Sequence, residues 1–262
     1  MEDDPSVSAA PPLPDIDPNA GFTGIIAAAW RLYRVSLAAL VGLFLLVAAL
    51  GIATGVAGQL AARNIESDNL RLALFLFLPT VAYVTFGSVG VAASGPLFVD
   101  RLRGGSASLG EALRAERPPL RDMLAAGLFA SVIALCGVAL LTPVLVLLFM
   151  PLFYGPPVVA FVVSLEKRRL QEALSRARSL LRGSTLRVLG VLFTVALGVG
   201  IVKEMLIQAS LALPRAARLA GIVATQVLAD ALLLPFVAAV SMVVYLGLKA
   251  RDEEAPQEPA GG

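Results

Sequence analysis

Apolar residues run along this chain in long unbroken blocks, not in the short alternating or amphipathic patterns of a water-soluble domain. Residues 35–62 carry no charge, nor do 72–99, and 123–165 form the longest neutral run. A helix needs roughly 20 apolar residues to cross a hydrocarbon core of about 30 Å. The third run is long enough for two crossings, and Thr142-Pro143 is the natural turn between them because proline lacks the amide a continuing helix would use. The pattern predicts six transmembrane helices, over about 37–60, 72–99, 121–142, 144–165, 186–212 and 219–248. Barrel strands are not expected, since they would alternate apolar and polar residues and these runs do not.

Positive charge is distributed unevenly between the connections. One side collects Arg31 and Arg34 before the first span and Arg101, Arg103, Arg114, Arg117 and Arg121 between spans two and three. It also takes Lys167, Arg168, Arg169, Arg176, Arg178, Arg182 and Arg187 between spans four and five, then Lys249 and Arg251 after the sixth. The other side has only Arg63, Arg71, Arg215 and Arg218. Sixteen bases against four place both termini in the cytoplasm, with a bacterial plasma (inner) membrane as the expected location.

Each odd-numbered span follows a short amphipathic segment: 24–34, 108–114 and 170–182. Glu-Ala-Leu recurs at 111–113 and 172–174, and Gly42-Leu-Phe44, Gly127-Leu-Phe129 and Gly190-Val-Leu-Phe193 fall inside the spans that follow. Ser108 and Glu111 have capping-box spacing, which marks a helix start. In the first segment Ile26, Trp30, Tyr33 and Leu37 share a helical face; in the third, Leu170, Leu174, Ala177 and Leu181 do, with arginines opposite. Such segments suit an interfacial helix, apolar face inward and bases toward anionic headgroups. The expected architecture is therefore an all-α polytopic bundle of six spans. Three cytoplasmic-side elbow helices would accompany them, in a repeat compatible with a pseudo-threefold axis. The same pattern also fits ordinary cytoplasmic linkers of an arginine-rich membrane protein.

Composition agrees. Mean hydropathy is +0.83, and only 15% of the 262 residues are charged, against about 25% in soluble proteins. Residues 1–20 are acidic and proline-rich and read as a disordered tail rather than a signal peptide, which would begin basic and turn apolar. Residues 21–250 form the membrane domain, and 251–262 a second tail.

The chemistry available is narrow. There is no histidine, the commonest general base and metal ligand. The single cysteine, Cys136, lies among apolar neighbours and reads as a small packing residue. No catalytic residues, metal ligands or cofactor site are expected. Glu66 and Asp68 fall on an outer loop and Asp100 on the opposite side, so an acid pair for hydrolysis does not converge. The bases sit beside apolar spans, where membrane orientation accounts for them without nucleic acid.

Inside the spans the ionisable residues are Lys203, Glu204 and Asp230. Spans five and six turn near 214–218, so Lys203 and Asp230 stand at similar depth, as do Gln208 and Gln226. An ion pair between Lys203 and Asp230 and a contact between Gln208 and Gln226 are expected, because an unpaired charge at the bilayer centre costs about 3 kcal/mol or more. Lys203 and Asp230 lie about 27 Å from the cytoplasmic ends of their helices at 1.5 Å per residue, near the outer edge of the core. That depth suits structural pairing or snorkelling. The same charges, with Pro151, Gly155, Pro156 and Pro157 breaking span four, also suit an ion or substrate path.

Several short motifs stand in a familiar order. Ala29-Trp-Arg-Leu-Tyr-Arg34 opens the first span. Pro156-Pro-Val-Val159 leads to Leu165-Glu-Lys, then Leu170-Gln-Glu-Ala-Leu174, Leu180-Leu-Arg-Gly-Ser184 and Arg187-Val-Leu-Gly190. Leu234-Pro-Phe236, Tyr245 and Arg251 close the series. Over about 20–251 the chain resembles the bacterial glycerophosphoryl diester phosphodiesterase membrane-domain family and related six-helix proteins. The resemblance implies the six-helix membrane fold only. The catalytic barrel that some members carry has no counterpart here, and none of its residues has a position to occupy. The family pattern also has a glycine-containing turn where this chain reads Leu165-Glu-Lys-Arg-Arg169.

Two functions remain from the sequence. The first is a non-enzymatic accessory or scaffold that binds membrane lipids, a membrane-protein partner or further copies of itself. Its candidate headgroup contacts are Arg31, Arg34, Arg114, Arg117, Lys167, Arg168, Arg169, Arg176, Arg178 and Arg182. The second is a small permease built on Lys203, Glu204, Asp230, Gln208 and Gln226.

Overall fold

The computed structural model describes residues 21–63, 65–116, 119–139 and 157–254. Among them every regular element is an α-helix. They are α1 (Phe22–Ala62), α2 (Asp68–Leu102), α3 (Leu109–Glu116), α4 (Leu120–Ala139), α5 (157–165), α6 (Leu170–Leu181), α7 (Thr185–Leu211) and α8 (Arg215–Glu254). Four stretches are long and apolar enough to cross a membrane: Phe22–Ala62, Phe77–Leu102, Thr185–Leu211 and Ala216–Glu254. They coincide with expected spans one, two, five and six. Expected spans three and four are not among the four: of their residues α4 (to Ala139) and α5 are described, while the Thr142-Pro143 turn, Pro151, Gly155 and Pro156 lie outside the described residues, as do 1–20 and 255–262. The side chain of Cys136 is also outside the described set. Residues 251–254, expected in the second tail, belong to the last turn of α8.

Local chemistry explains the helix ends. Ser67 caps α2 by accepting from the Leu70 amide. The Ser108–Glu111 capping box forms as read from the sequence: the Ser108 amide donates to the Glu111 carboxylate at 2.7 Å, and the Glu111 amide donates to Ser108 Oγ at 3.3 Å. These bonds hold the Glu111 carboxyl below its usual 4.5, the Ser108 hydroxyl contributing most and its amide next. Gly183, at φ +77°, separates α6 from α7 with a backbone that side-chained residues rarely adopt.

The elbows depart from expectation in two ways. The first is not a separate helix. Between Gly24 and Gly42 the chain has neither glycine nor proline, and α1 runs through Arg34 unbroken for 41 residues, about 60 Å. The third elbow, α6, turns its apolar face to protein: Ala173, Ala177 and Leu180 are fully buried, with Leu170, Leu174 and Leu181 half-buried against the same core. The face actually buried is centred one residue away from the expected one, because α6 packs on α4 and α8.

α1 and α2 form an antiparallel hairpin, close at Gly51 and Gly55. A Cβ on Gly51 would lie 3.6 Å from the Tyr83 ring, and one on Gly55 would lie 3.6 Å from Pro79, the close approach expected of a small-xxx-small pair. α4 comes closer still to α2. A Cβ on Gly127 would stand 2.7 Å from the Thr85 carbonyl oxygen, so only glycine fits. Beside it the Thr85 and Ser131 hydroxyls bond at 2.7 Å.

The densest packing combines α1, the end of α2, α5, α6 and the second half of α8. Tyr245, Phe44, Phe98 and Phe161 are its largest fully buried side chains. Residues 158–164 and 238–245 are buried without exception.

Candidate functional site

The α7–α8 turn brings Lys203 and Asp230 to one level, as the matching distances from the turn require. Lys203 Nζ lies 2.8 Å from Asp230 Oδ1. Asp230 is almost fully buried, at 3% exposure, while the lysine side chain retains 21%. A third group completes the cluster. Tyr83 on α2 donates its hydroxyl to the same Asp230 oxygen at 2.8 Å and accepts from Lys203 Nζ at 3.3 Å. The ammonium also stands 4.8 Å from the Tyr83 ring centroid, within range of the attraction between a cation and the ring face. One carboxylate oxygen thus takes two donors, and the lysine charge is shared between an anion and an aromatic ring.

Tyr83 was not among the expected site residues. Its signal was the same depth rule: it stands 15 residues after Asp68, where α2 begins, much as Lys203 and Asp230 stand 13 and 14 from position 216. An ion pair draws attention to charged residues, and a phenol escapes that search.

The expected Gln208–Gln226 contact is replaced. Gln208 donates to Glu204 of its own helix at 2.6 Å, while Ser210 and Thr225 hydroxyls meet across the hairpin at 2.7 Å. The hairpin-facing stripe of α7 is Val199, Lys203, Ile207 and Ser210; Gln208 and Glu204 point away from it and are exposed. Glu204 therefore does not join Lys203 and Asp230.

A second polar cluster ties the start of α6 to the end of α8. Glu166 accepts from the Tyr245 hydroxyl at 3.0 Å and from Arg168 Nε at 3.0 Å, and faces Arg176 Nε at 3.6 Å. Arg176 Nη1 pairs with Asp252 at 2.7 Å. Burial works against the Arg176 charge, but the bond and charge of Asp252, and then Glu166, outweigh it and hold the guanidinium above its usual range. Arg251 bonds Ser184 at the head of α7. Between these partners Lys167 takes the left-handed conformation, φ +54°.

At the other motif positions, Trp30, Tyr33 and Phe236 form an aromatic group, with ring centroids 5.2–6.0 Å apart. The Tyr33 hydroxyl donates to the Leu232 carbonyl at 3.1 Å, next to Pro235 inside α8. The missing Pro235 amide frees the Ala231 carbonyl, and the Tyr33 hydroxyl bonds the carbonyl next to it.

The basic candidates divide. Arg168 and Arg176 belong to the Glu166 cluster. Arg31, Arg34, Arg114, Arg169, Arg178 and Arg182 are exposed and form no ion pair among the described residues. Lys167 is exposed in its turn, and Arg117 lies outside the described residues.

The acids considered for hydrolysis stay apart: Asp68 and Asp100 mark opposite ends of α2, about 48 Å along the axis. Among the described residues no group of three or more His, Cys, Asp or Glu side chains is placed to hold a metal. No family model, no curated protein and no solved structure matches the chain.

Proposed function

We propose that this protein is a non-enzymatic accessory or scaffold of a bacterial plasma membrane, which binds anionic lipid or a partner protein at its cytoplasmic face. One observation carries the reading. Lys203 and Asp230 are satisfied by each other and by Tyr83, whereas Arg31, Arg34, Arg178 and Arg182 present unpaired charge to the surroundings. Charge turned inward stabilises the fold; charge left outward at the ends of membrane helices attracts anionic headgroups. The contacts support a common side for the bases of α6 and of the ends of α2 and α8, since Gly95 lies against Leu165, Glu166 bonds Tyr245 and Arg176 pairs with Asp252. Positive-inside asymmetry makes that side cytoplasmic, with both termini there. Kinship with the six-helix membrane-domain family belongs to the same proposal. It rests on the motif order and on the contacts of Tyr33, Glu166, Tyr245 and Arg251.

The test is lipid analysis of protein purified in native nanodiscs. Enrichment of anionic lipid over the surrounding membrane, reduced when Arg178 and Arg182 become Gln, supports the reading. Unselective lipid and no co-purifying protein contradict it.

The permease reading retains one observation in its favour, a buried carboxylate and an ammonium within membrane-spanning helices, as in proton and solute paths. It requires that Lys203→Met abolish solute uptake while leaving the fold intact.

A further inference from the structure

Two arginines from separate helices converge where α6 turns into α7. Gly183, at φ +77°, lets the chain leave α6 after Leu181 and enter α7 at Thr185. Arg182 stands directly before this glycine and is exposed. Arg251 arrives from the last turn of α8. It donates to the Ser184 hydroxyl, and its Nη2 lies 3.9 Å from where a Cβ on Gly183 would stand. Ser184 is itself buried. The bond therefore holds the Arg251 guanidinium at the corner and leaves its other N–H groups available.

No acid answers these charges. Among the described residues neither Arg182 nor Arg251 forms an ion pair. The neighbouring Asp252 is turned to Arg176, and Glu253 and Glu254 are exposed and pair with neither arginine. Like charges held side by side repel, and an anion between them removes that cost. A guanidinium fork bonds two oxygens of a phosphate at once. The corner also stands at an apolar boundary. The stretch of α7 long and apolar enough to cross a membrane begins at Thr185. Leu186, 84% exposed, is the most exposed large apolar side chain among the described residues. A soluble anion would leave that leucine against water, whereas a lipid covers it, because phosphate and acyl chain meet at this level.

We propose that the corner of Arg182, Ser184, Leu186 and Arg251 is a headgroup site for an anionic membrane phospholipid. Arg182 and Arg251 hold the phosphate, Ser184 holds Arg251, and Leu186 meets the acyl chain. The inference rests on the lipid-binding reading above and narrows it: the partner is a lipid, and the selective site is this corner rather than the bases of α1. Arg31 and Arg34 are exposed as well, but they lie one turn apart on a single helix, and no bond to a described residue fixes either side chain. An arginine already held in place loses less freedom when its ligand arrives.

Native mass spectrometry of the full chain, released from nanodiscs of mixed phosphatidylcholine and phosphatidylglycerol, tests this. The wild type should retain phosphatidylglycerol in preference to phosphatidylcholine. Retention should weaken about fivefold in R182Q and about twenty-fivefold in R182Q/R251Q, and stay within about twofold of wild type in R31Q/R34Q. The Arg182 side chain bonds no described residue, so R182Q should melt with the wild type and its loss of lipid reports the site alone. L186Q should also lower retention. Selective retention that survives R182Q/R251Q and is lost in R31Q/R34Q would overturn the corner site and leave the lipid reading standing. Equal loss in the two double variants would mean diffuse attraction and overturn the site as well. A wild type without preference would overturn both the site and the reading. Displacement of the lipid by inorganic phosphate would identify a free anion as the ligand and overturn the lipid assignment. Unchanged retention in L186Q would remove Leu186 from the site.

Discussion

The two halves of the α7–α8 hairpin are built from the same kind of residue yet lie in opposite surroundings. In the half near the exposed bases, Val188, Leu189, Val191, Leu192 and Val195 of α7 are buried, and so is every residue from 238 to 245 in α8. In the half near the turn, Ser210 alone is buried on α7 after Val195, and no residue of α8 is buried between 216 and 228. Hydropathy does not distinguish them, because in a bilayer an apolar side chain is equally at home against lipid or protein. The packed half is held by shape, with Phe161 and Tyr245 in ring contact at 5.9 Å and α5 enclosed on all sides. The open half is held by polar bonds, namely the Tyr83–Lys203–Asp230 cluster and the Ser210–Thr225 pair. Where packing is sparse, a few directional contacts fix the helices.

That contrast can be broken most sharply at Asp230. Asp230→Ala leaves Lys203 without its anion in a largely buried position, and the expected loss is about 3–5 kcal/mol. It should appear as a large fall in detergent melting temperature and as loosening of the turn half of the hairpin in hydrogen exchange. Gly127→Ala tests close packing outside the hairpin, where α4 meets α2, by overfilling. The methyl would collide with the Thr85 carbonyl, and separating α4 from α2 should cost about 1–3 kcal/mol. An unchanged melting temperature would mean that the two helices are not in such close contact. Lys167→Gly should act in the opposite direction. Relief of a left-handed side-chained residue is expected to stabilise by about 1 kcal/mol; destabilisation would show that the turn does not hold Lys167 at positive φ. The smallest effect concerns Glu111. Its folded-state pKa is lowered, so the capping box contributes above pH 4.5 and is lost as pH falls through the folded value. The protection of the α3 amides, measured against their intrinsic exchange rates, should fall with that protonation in the wild type and lose this dependence in Glu111→Gln.

Much of this arrangement was legible in the chain. Charge-free blocks located α1, α2, α7 and α8; equal distance from one turn located the Lys203–Asp230 pair; and spacing alone located the Ser108–Glu111 cap. Local rules sufficed because each concerns residues near one another in sequence or tied to a single hairpin. Tyr83 was missed because its partner helices join it through tertiary packing, and nothing in its neighbourhood marks it beyond its depth. Gln208 went to Glu204 because two hydroxyls, Ser210 and Thr225, already occupied the hairpin interface at that level. The elbow at 24–34 reads as a separate unit by its arginines, but helix continuation depends on breakers, and none stands between Gly24 and Gly42. The buried face of α6 was displaced by one residue because α4 and α8, rather than the membrane surface, decide which side is covered.

The central claim is that the intramembrane charges clamp the hairpin and do not serve a moving solute. A double-mutant cycle on Lys203 and Asp230, read by thermal unfolding in nanodiscs together with solute uptake, tests it most directly. The account predicts that Lys203→Met and Asp230→Leu are each strongly destabilising, that the double variant recovers most of the loss, and that no uptake depends on either residue. Single variants as stable as the wild type but devoid of a measurable uptake activity would contradict it.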